Sequence, residues 1–231
     1  LQKEAVTTLV ASGSLPIPTL ALNRAVTEAT PPANLYQFAL SPEDEAADAA
    51  RKAWAEGHRS ALMLYPEGRW GDRIALGFRQ QWLALGGQVA ASAIYNPGAS
   101  NFSAPITDLF ARAGGPASAG FLFMVSTSAT ARKLWPQIQE QGGAGLSVYS
   151  TSHISSGSAE SGALSGLYFV DIPWLLAPKP ADPLSRERLQ SSIAGIDQRY
   201  IRLYAMGIDA YHLAPRLAWM AQRSGSYLDG R

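Results

Sequence analysis

The stretch Phe38-Ala39-Leu40-Ser41-Pro42-Glu43-Asp44-Glu45 decides how the chain folds. Its first three residues are apolar and typical of a strand end, whereas Ser41 has the side chain of a helix N-cap. Pro42 suits the first helical position because proline has no N–H to satisfy there, and the acids after it favour the positive end of the helix dipole. The stretch therefore predicts a short strand followed at once by a helix that runs to Glu56.

Strands and helices continue to alternate beyond this helix. Residues 61–65 and 88–95 are apolar enough for buried strands, and a helix opened by Trp70-Gly71 lies between them. Residues 120–125 form a continuous apolar run, which is typical of a strand covered on both faces. Such alternation predicts an α/β fold with open parallel sheets flanked by helices. One doubly wound sheet fits this pattern, and two sheets joined by crossovers fit it better.

The predicted crossovers near Leu40 and between Tyr149 and Gly166 divide the chain into two lobes. We expect residues 1–40 and 166–231 to form the first lobe and residues 41–165 to form the second. Because Leu1 already lies in an apparent helix, we expect the chain to be a fragment of a longer protein, with any targeting signal outside it.

Composition excludes several classes of function. The 231 residues carry a formal net charge of +1 without a clustered basic stripe, so we expect no nucleic-acid partner. The chain has no cysteine, which excludes disulfides and thiol catalysis. No apolar run approaches the roughly 18 residues of a membrane span. The three histidines are far apart and no nucleotide-binding or serine-nucleophile motif is present, so we expect no metal, no cofactor and no catalytic residue.

Ser126, Thr127 and Ser128 are the strongest candidate site in the sequence itself. They follow the apolar run 120–125 directly and precede a predicted helix. Hydroxyl and free N–H groups in such a position bind carboxylates or phosphates. The alternative is that these side chains only cap the helix, and the sequence leaves both interpretations open.

The central stretch resembles the type I periplasmic-binding-protein fold. The second lobe of that fold starts with a segment like residues 38–42, and an aromatic–Gly pair such as Trp70-Gly71 opens the next helix. The resemblance implies that the loops after Tyr65, at Ser126 and near Ser152 line a cleft between the lobes. The candidate cleft or partner contacts are Trp70, Ser126, Thr127, Ser128, Ser152 and His153. We identify no acid beside Ser152, which counts against an amino-acid ligand. For Trp70, core packing is the alternative to partner contact.

Several segments are more specific and resemble the LppC/LpoA family of outer-membrane lipoproteins. They are Ala21-Leu22-Asn23, Tyr36-Gln37-Phe38-Ala39-Leu40-Ser41-Pro42-Glu43-Asp44-Glu45-Ala46, Trp70-Gly71-Asp72-Arg73 and Tyr204-Ala205-Met206-Gly207-Ile208-Asp209-Ala210. The similarity extends from Leu1 to about Met220. In that family further strands precede the position of Leu1, which implies that the first lobe is incomplete in this chain.

The resemblance implies a non-enzymatic regulator on the periplasmic side of the outer membrane. It would bind a class A penicillin-binding protein and stimulate the peptidoglycan transpeptidase activity of that synthase. Membrane contact would occur only through an N-terminal lipid anchor, which is absent from this chain. The alternative is a small-molecule binding module for an amino acid or a cell-wall fragment, with the ligand in the cleft between the lobes.

Overall fold

The computed structural model describes residues 2–27, 29–118, 120–155, 161–176, 182–193, 195–197 and 200–223. The chain divides into two compact units. The first unit comprises Leu1–Leu40 and Ile172–Arg231, and the second unit comprises Ser41–Asp171. The sequence placed the last boundary before residue 166, whereas the structure keeps the strand at residues 167–169 in the second unit, because that strand pairs with its sheet.

The strands, in chain order, are β1 Thr19–Ala21, β2 Leu35–Gln37, β3 Ser60–Pro66, β4 Gln88–Tyr95, β5 Phe121–Met124, β6 Val148–Ser150 and β7 Leu167–Phe169. The helices are α1 Lys3–Ala11, α2 Pro42–Ala55, α3 Arg69–Ala84, α4 Ser103–Arg112, α5 Ser128–Glu140, α6 Pro173–Leu176, α7 Arg186–Ser192, α8 Ile201–Leu213 and α9 Leu217–Ala221. This order confirms the predicted α/β fold with parallel sheets.

The second unit is built on a five-stranded parallel sheet with the order β4–β3–β5–β6–β7. Central β3 pairs with β4 on one side and with β5 on the other. The register of β4 shifts by one residue between the Ala61–Val89 and Leu62–Ala91 pairs, which leaves Ala90 as a β-bulge. All four neighbouring pairs are parallel, so the carboxyl ends of the strands meet at one edge of the sheet.

Helices cover both faces of this sheet and bury two apolar clusters. Helices α2 and α3 pack on one face around Phe78, Trp82, Phe121 and Phe123. Helices α4 and α5 pack on the other face, where Leu62, Phe102, Leu109 and Leu134 are buried. Because strand side chains alternate, Met63 faces α2 and α3 while Leu62 and Leu64 face α4 and α5.

Helix α2 begins as the sequence predicts. The Oγ of Ser41 accepts a hydrogen bond from the backbone N–H of Asp44 at 3.2 Å, and Pro42 is the first helical residue. The small side chains of Ala46, Ala49, Ala50 and Ala53 form the buried face of the helix. This face lets α2 pack closely against α3 and the sheet.

The first unit contains a two-stranded parallel sheet, β1–β2, with a small core of its own. Val6 and Val10 of α1 pack against Ala21 and Leu35 of these strands. A separate cluster joins α6 to α8 through Trp174, Ile201 and Ala205. Trp174 is buried, and its indole N–H donates to the carbonyl of Leu184 at 2.9 Å.

The sequence pattern also predicts a strand over residues 166–174 and a long helix over residues 197–223, and the structure shows that both predictions were wrong. The predicted long helix is divided into α8, a 3₁₀ turn at Ala214–Arg216 and α9. Pro215 lies at the break, because proline offers no N–H and its ring clashes with the preceding turn. The strand expected over residues 166–174 ends at Phe169, and Pro173 instead opens the short helix α6.

An ion pair links α2 to α3 in the second unit. The Glu43 carboxylate accepts hydrogen bonds from Arg73 Nε at 2.5 Å and from Ser41 Oγ at 3.0 Å. Burial raises the pKa of the Glu43 carboxyl, but hydrogen bonds from its own backbone N–H, from Arg73 and from Ser41 outweigh burial and hold the pKa below its ordinary value of 4.5.

The lowered pKa predicts an acid-dependent contribution to stability. A carboxyl whose folded pKa is depressed stabilises the fold above its unfolded pKa and loses that contribution as pH falls through the folded pKa. At pH 7 we expect Glu43→Gln to lower the free energy of unfolding by about 0.5–1 kcal/mol, because the pair is partly exposed. Urea unfolding at a series of pH values should show this difference shrinking below pH 4.5.

The exposed pair Asp48–Arg51 provides a matched control on the same helix. We expect Asp48→Asn to change stability by less than about 0.5 kcal/mol at every pH. If the free energies of unfolding of Glu43→Gln and the wild type differ by the same amount from neutral to acid pH, the charge of Glu43 contributes nothing to the stability of the fold.

Candidate functional site

The candidate site lies at the carboxyl edge of the five-stranded sheet. The chain leaves β3 to one side for β4 and then crosses to the other side for β5, so the order of connections reverses between β3 and β5. In parallel α/β sheets such a reversal leaves a crevice outside the strand ends, where ligands bind. The loop after β3 contains Gly68 with φ of 99°, a left-handed conformation that favours glycine, and α3 starts directly after it.

Trp70 and His153 meet at this edge, although they come from separate segments. Trp70 lies in the first turn of α3 and is half-buried against the core under α2 and α3. His153 lies in a 3₁₀ turn that follows β6. Their ring centroids are 5.3 Å apart with planes at 66°, which is an edge-to-face contact.

Ser152 is bound on two atoms by the carboxylate of Glu45. The backbone N–H of Ser152 donates to Glu45 Oε2 at 2.8 Å, and its hydroxyl donates to Glu45 Oε1 at 3.0 Å. Ser152 is only 4% exposed, so these bonds satisfy polar groups that water does not reach freely. The sequence interpretation that no acid lies beside Ser152 was therefore wrong, because the acid comes from the first turns of α2.

The serine–threonine stretch after β5 makes local hydrogen bonds. Thr127 is the N-cap of α5, and its Oγ1 accepts from the backbone N–H of Thr130 at 3.4 Å. The buried Ser126 donates its hydroxyl to the carbonyl of Thr127 at 3.1 Å. Ser128 is the first residue of α5 and is half-buried. The structure thus gives Thr127 the capping function that the sequence offered as one of two interpretations, and ligand binding by the stretch stays a prediction.

Tyr95 supports the same stretch from β4. Its buried hydroxyl donates to the carbonyl of Val125 at 2.8 Å. Burial raises the pKa of the Tyr95 hydroxyl to about 12, although a hydrogen bond with Ser126 opposes the increase. A group with this pKa stays protonated near neutral pH and keeps donating to the strand end.

The structure brings together some of the predicted residues and adds others. Trp70 contacts His153, and Ser152 precedes His153 in the same turn, whereas the hydrogen bonds of Ser126 and Thr127 among the described residues are made within their own stretch and do not involve Ser152 or His153. Glu45 and Tyr95 were missed. Glu45 directly precedes the buried alanine face of α2, and an acid at the border of a core face is a signal that points to a buried partner.

The described residues contain no ready-made metal site. No group of three or more histidine, aspartate or glutamate side chains is placed there to hold a metal ion. None of the helices formed by the described residues is long and apolar enough to cross a membrane. The carboxyl edge as observed is an internally hydrogen-bonded surface with two aromatic rings.

The fold is shared with solved proteins of two kinds. The LpoA (YraM) C-domain from Haemophilus influenzae, a regulator of PBP1A, superposes with a TM-score of 0.74 at 24% identity, over 99% of this chain and 76% of that one. A putative branched-chain amino acid ABC transporter from Chromobacterium violaceum gives a TM-score of 0.75 at 26% identity, over 99% and 70%. The chain is thus an α/β domain of the periplasmic-binding-protein-like class, as the resemblance implied.

Within this class the chain belongs to the LppC family. The family model, described as LppC putative lipoprotein, matches residues 1–231. Among curated relatives, the penicillin-binding protein activator LpoA of Serratia proteamaculans (strain 568) is 34% identical over 272 aligned residues, covering 100% of this chain. The chain spans 38% of the length of that relative.

Proposed function

We propose that the chain is a non-enzymatic regulator that binds a class A penicillin-binding protein and stimulates its peptidoglycan transpeptidase activity. The observation that carries this proposal is the match of the whole chain to an LppC family whose relatives are named penicillin-binding protein activators. The related Haemophilus domain with the same fold is described as a regulator of PBP1A, and PBP1A is the kind of partner that we propose for this chain.

The geometry at Ser152 supports recognition rather than catalysis. In a serine-hydrolase triad, a histidine accepts the serine proton and the carboxylate orients that histidine. Here the Glu45 carboxylate bonds directly to both the hydroxyl and the N–H of Ser152, while His153 Nδ1 lies 3.3 Å from Thr151 Oγ1. The Glu45 carboxylate therefore holds the turn after β6 in place, which is a structural contact and not a catalytic one.

The proposed mechanism is differential affinity. A regulator shifts an equilibrium between two states of its partner only to the extent that it binds one state more tightly. The chain would bind the crosslinking-competent state of the synthase more tightly than the idle state. The family description as a lipoprotein supports a site of action on the periplasmic side of the outer membrane, with a lipid anchor outside residues 1–231.

A crosslinking assay tests this proposal. A purified class A penicillin-binding protein is given lipid-linked peptidoglycan precursor with and without the chain, and the fraction of crosslinked muropeptides is measured. We expect a several-fold increase in the crosslinking rate with the chain present, and no crosslinked product from the chain alone. An unchanged rate, with no binding in a parallel pull-down, would contradict the proposal.

A small-molecule binding module is the second candidate, and the reversal between β3 and β5 favours it. In this proposal the two units are the lobes of a binding protein, and an amino-acid carboxylate binds at the start of α5, near Thr127 and Ser128. The amino-acid transporter among the structural neighbours supports this alternative. Thermal unfolding with excess leucine separates the two candidates, because a true ligand raises the midpoint by mass action and the regulator proposal expects no change.

A further inference from the structure

Strand β4 has backbone groups that point away from the sheet at its border. It is the outermost strand on its side, and alternate residues of such a strand turn their N–H and C=O groups outward. The Ser92 carbonyl accepts from Arg112 Nη2 at 2.5 Å and so points outward, whereas the Tyr95 carbonyl accepts from the N–H of Glu67, just after β3, at 2.9 Å. By this alternation the N–H and C=O of Ile94 point outward as well.

Exposed apolar side chains accompany this open edge. In the described part of the second unit, the large apolar side chains that are exposed lie at the two borders of the sheet. Leu76, Leu83 and Ile94 are 53%, 54% and 52% exposed at the β4 border, and Tyr168 and Phe169 lie at the β7 border. Ile94 pairs in register with Tyr65, which packs on the α2–α3 core, so Ile94 is on the face of the sheet that α3 covers.

Helix α3 contributes two exposed leucines, with an arginine between them, to the β4 border of the sheet. Its opposite side faces α2, since Arg73 bonds to Glu43 and Gln81 bonds to Arg51. Leu76, Arg79 and Leu83 follow one another at helical spacing on the side away from α2, which is the side of β4. Arg79 makes no ion pair and no hydrogen bond with the described residues, and its guanidinium is thus available to a partner.

We propose that the β4 ledge, defined as Leu76, Arg79, Leu83 and Ile94, binds an extended segment of the partner that adds to β4 as a further strand. The segment carries apolar side chains over the two leucines and Ile94, and a carboxylate opposite Arg79. This inference rests on the proposed function, because it takes the segment to belong to the penicillin-binding protein and locates where that protein docks.

The positive charge of Arg79 favours a different protein, rather than a second copy of the chain, as the partner on the β4 ledge. Two copies joined antiparallel along β4 would be related by a twofold axis. Arg79 lies between Leu76 and Leu83 in α3, so a twofold axis through the centre of the ledge would bring the two Arg79 guanidinium groups toward each other. Like charges facing each other disfavour such a contact, whereas an acidic segment removes the conflict.

The first test measures binding of the chain, residues 1–231, to a purified class A penicillin-binding protein. We expect Arg79→Glu and Leu83→Glu each to weaken the affinity about tenfold or more, because central contacts dominate interface energies. Lys133→Glu, the same charge reversal at an exposed position of α5, and Phe169→Ser at the opposite border are expected to change the affinity less than about twofold. Leu83, Lys133 and Phe169 are exposed and Arg79 is partly exposed, so none of the four substitutions alters the buried core, and the unfolding midpoints should stay close to that of the wild type.

The outcomes separate the two levels of inference. Absence of binding by the unsubstituted chain contradicts the proposed function itself. Binding that Arg79→Glu and Leu83→Glu leave unchanged contradicts the ledge while the proposed function stands. A dimer of the free chain that Leu83→Glu dissociates would instead assign the ledge to a second copy and overturn the choice of partner.

Strand addition has its own test at Ile94. Proline at this position removes the outward N–H but leaves the ladder to β3, since that ladder uses the neighbouring residues. Ile94→Ala removes the side chain and keeps the N–H. We expect Ile94→Pro to bind the synthase at least about fivefold more weakly than Ile94→Ala, and equal affinities of the two variants would exclude pairing through the backbone.

Discussion

Replacement of Phe78 by alanine is expected to lower the free energy of unfolding by about 3–5 kcal/mol. Phe78 is completely buried under α3, where its ring stacks on Phe123 with centroids 4.0 Å apart and planes at 9°. It also contacts Trp82 and Phe121, so its removal leaves a cavity among large, rigid rings that cannot close it. Urea unfolding followed by tryptophan fluorescence measures the loss.

This loss is large because a typical domain is stable by only about 5–15 kcal/mol. Leu76→Ala is the matched control on the same helix, since Leu76 is half exposed and loses few contacts. We expect that variant to differ from the wild type by less than about 0.5 kcal/mol. Equal effects of the two substitutions would mean that the α2–α3 face is not the packed core described above.

The second large effect is expected from Gly71→Ala, which should destabilise the second unit by about 1–3 kcal/mol or more. Within a helix alanine is ordinarily favoured over glycine by up to about 1 kcal/mol. At Gly71, however, a Cβ would lie 2.0 Å from the carbonyl oxygen of Pro66, a backbone atom at the end of β3. Because the Pro66 backbone cannot change conformation as a flexible side chain does, α3 must move away from β3.

Movement of α3 would also displace Trp70, the neighbour of Gly71, from His153. A change in tryptophan emission should therefore accompany the loss of stability. Gly145→Ala is the matched control in the same unit, because nothing lies within 4 Å of a Cβ there. A Gly71→Ala variant as stable as Gly145→Ala would contradict the close approach of α3 to β3.

Local signals in the sequence account for most of the elements. Ser41 and Pro42 mark the start of α2, and the limits of β4 and α4 follow directly from their apolar patterns and flanking turns. Caps and periodicity act over a few residues, so they can be recognised without knowledge of the rest of the fold. The interruption at Pro215 was also visible and should have ended the predicted long helix.

The site depends on contacts that no local pattern encodes. Glu45 and Ser152 are 107 positions apart, and only the pairing of β6 beside β5 brings the turn after β6 to the start of α2. The alternation of strands and helices along the chain likewise does not determine the order of strands in a sheet. For this reason β7 was expected in the first lobe, whereas it pairs with β6 in the second unit. The open edge of β4 became recognisable only once β3 had been placed beside it.

The central claim is that this domain regulates a peptidoglycan synthase by binding it. The most direct measurement titrates the chain into a class A penicillin-binding protein and follows the crosslinking rate and the bound fraction in the same samples. We predict that the rate increases, saturates, and reaches half of its maximum at the concentration where half of the synthase is bound. A synthase saturated with the chain but crosslinking at its basal rate would contradict the claim.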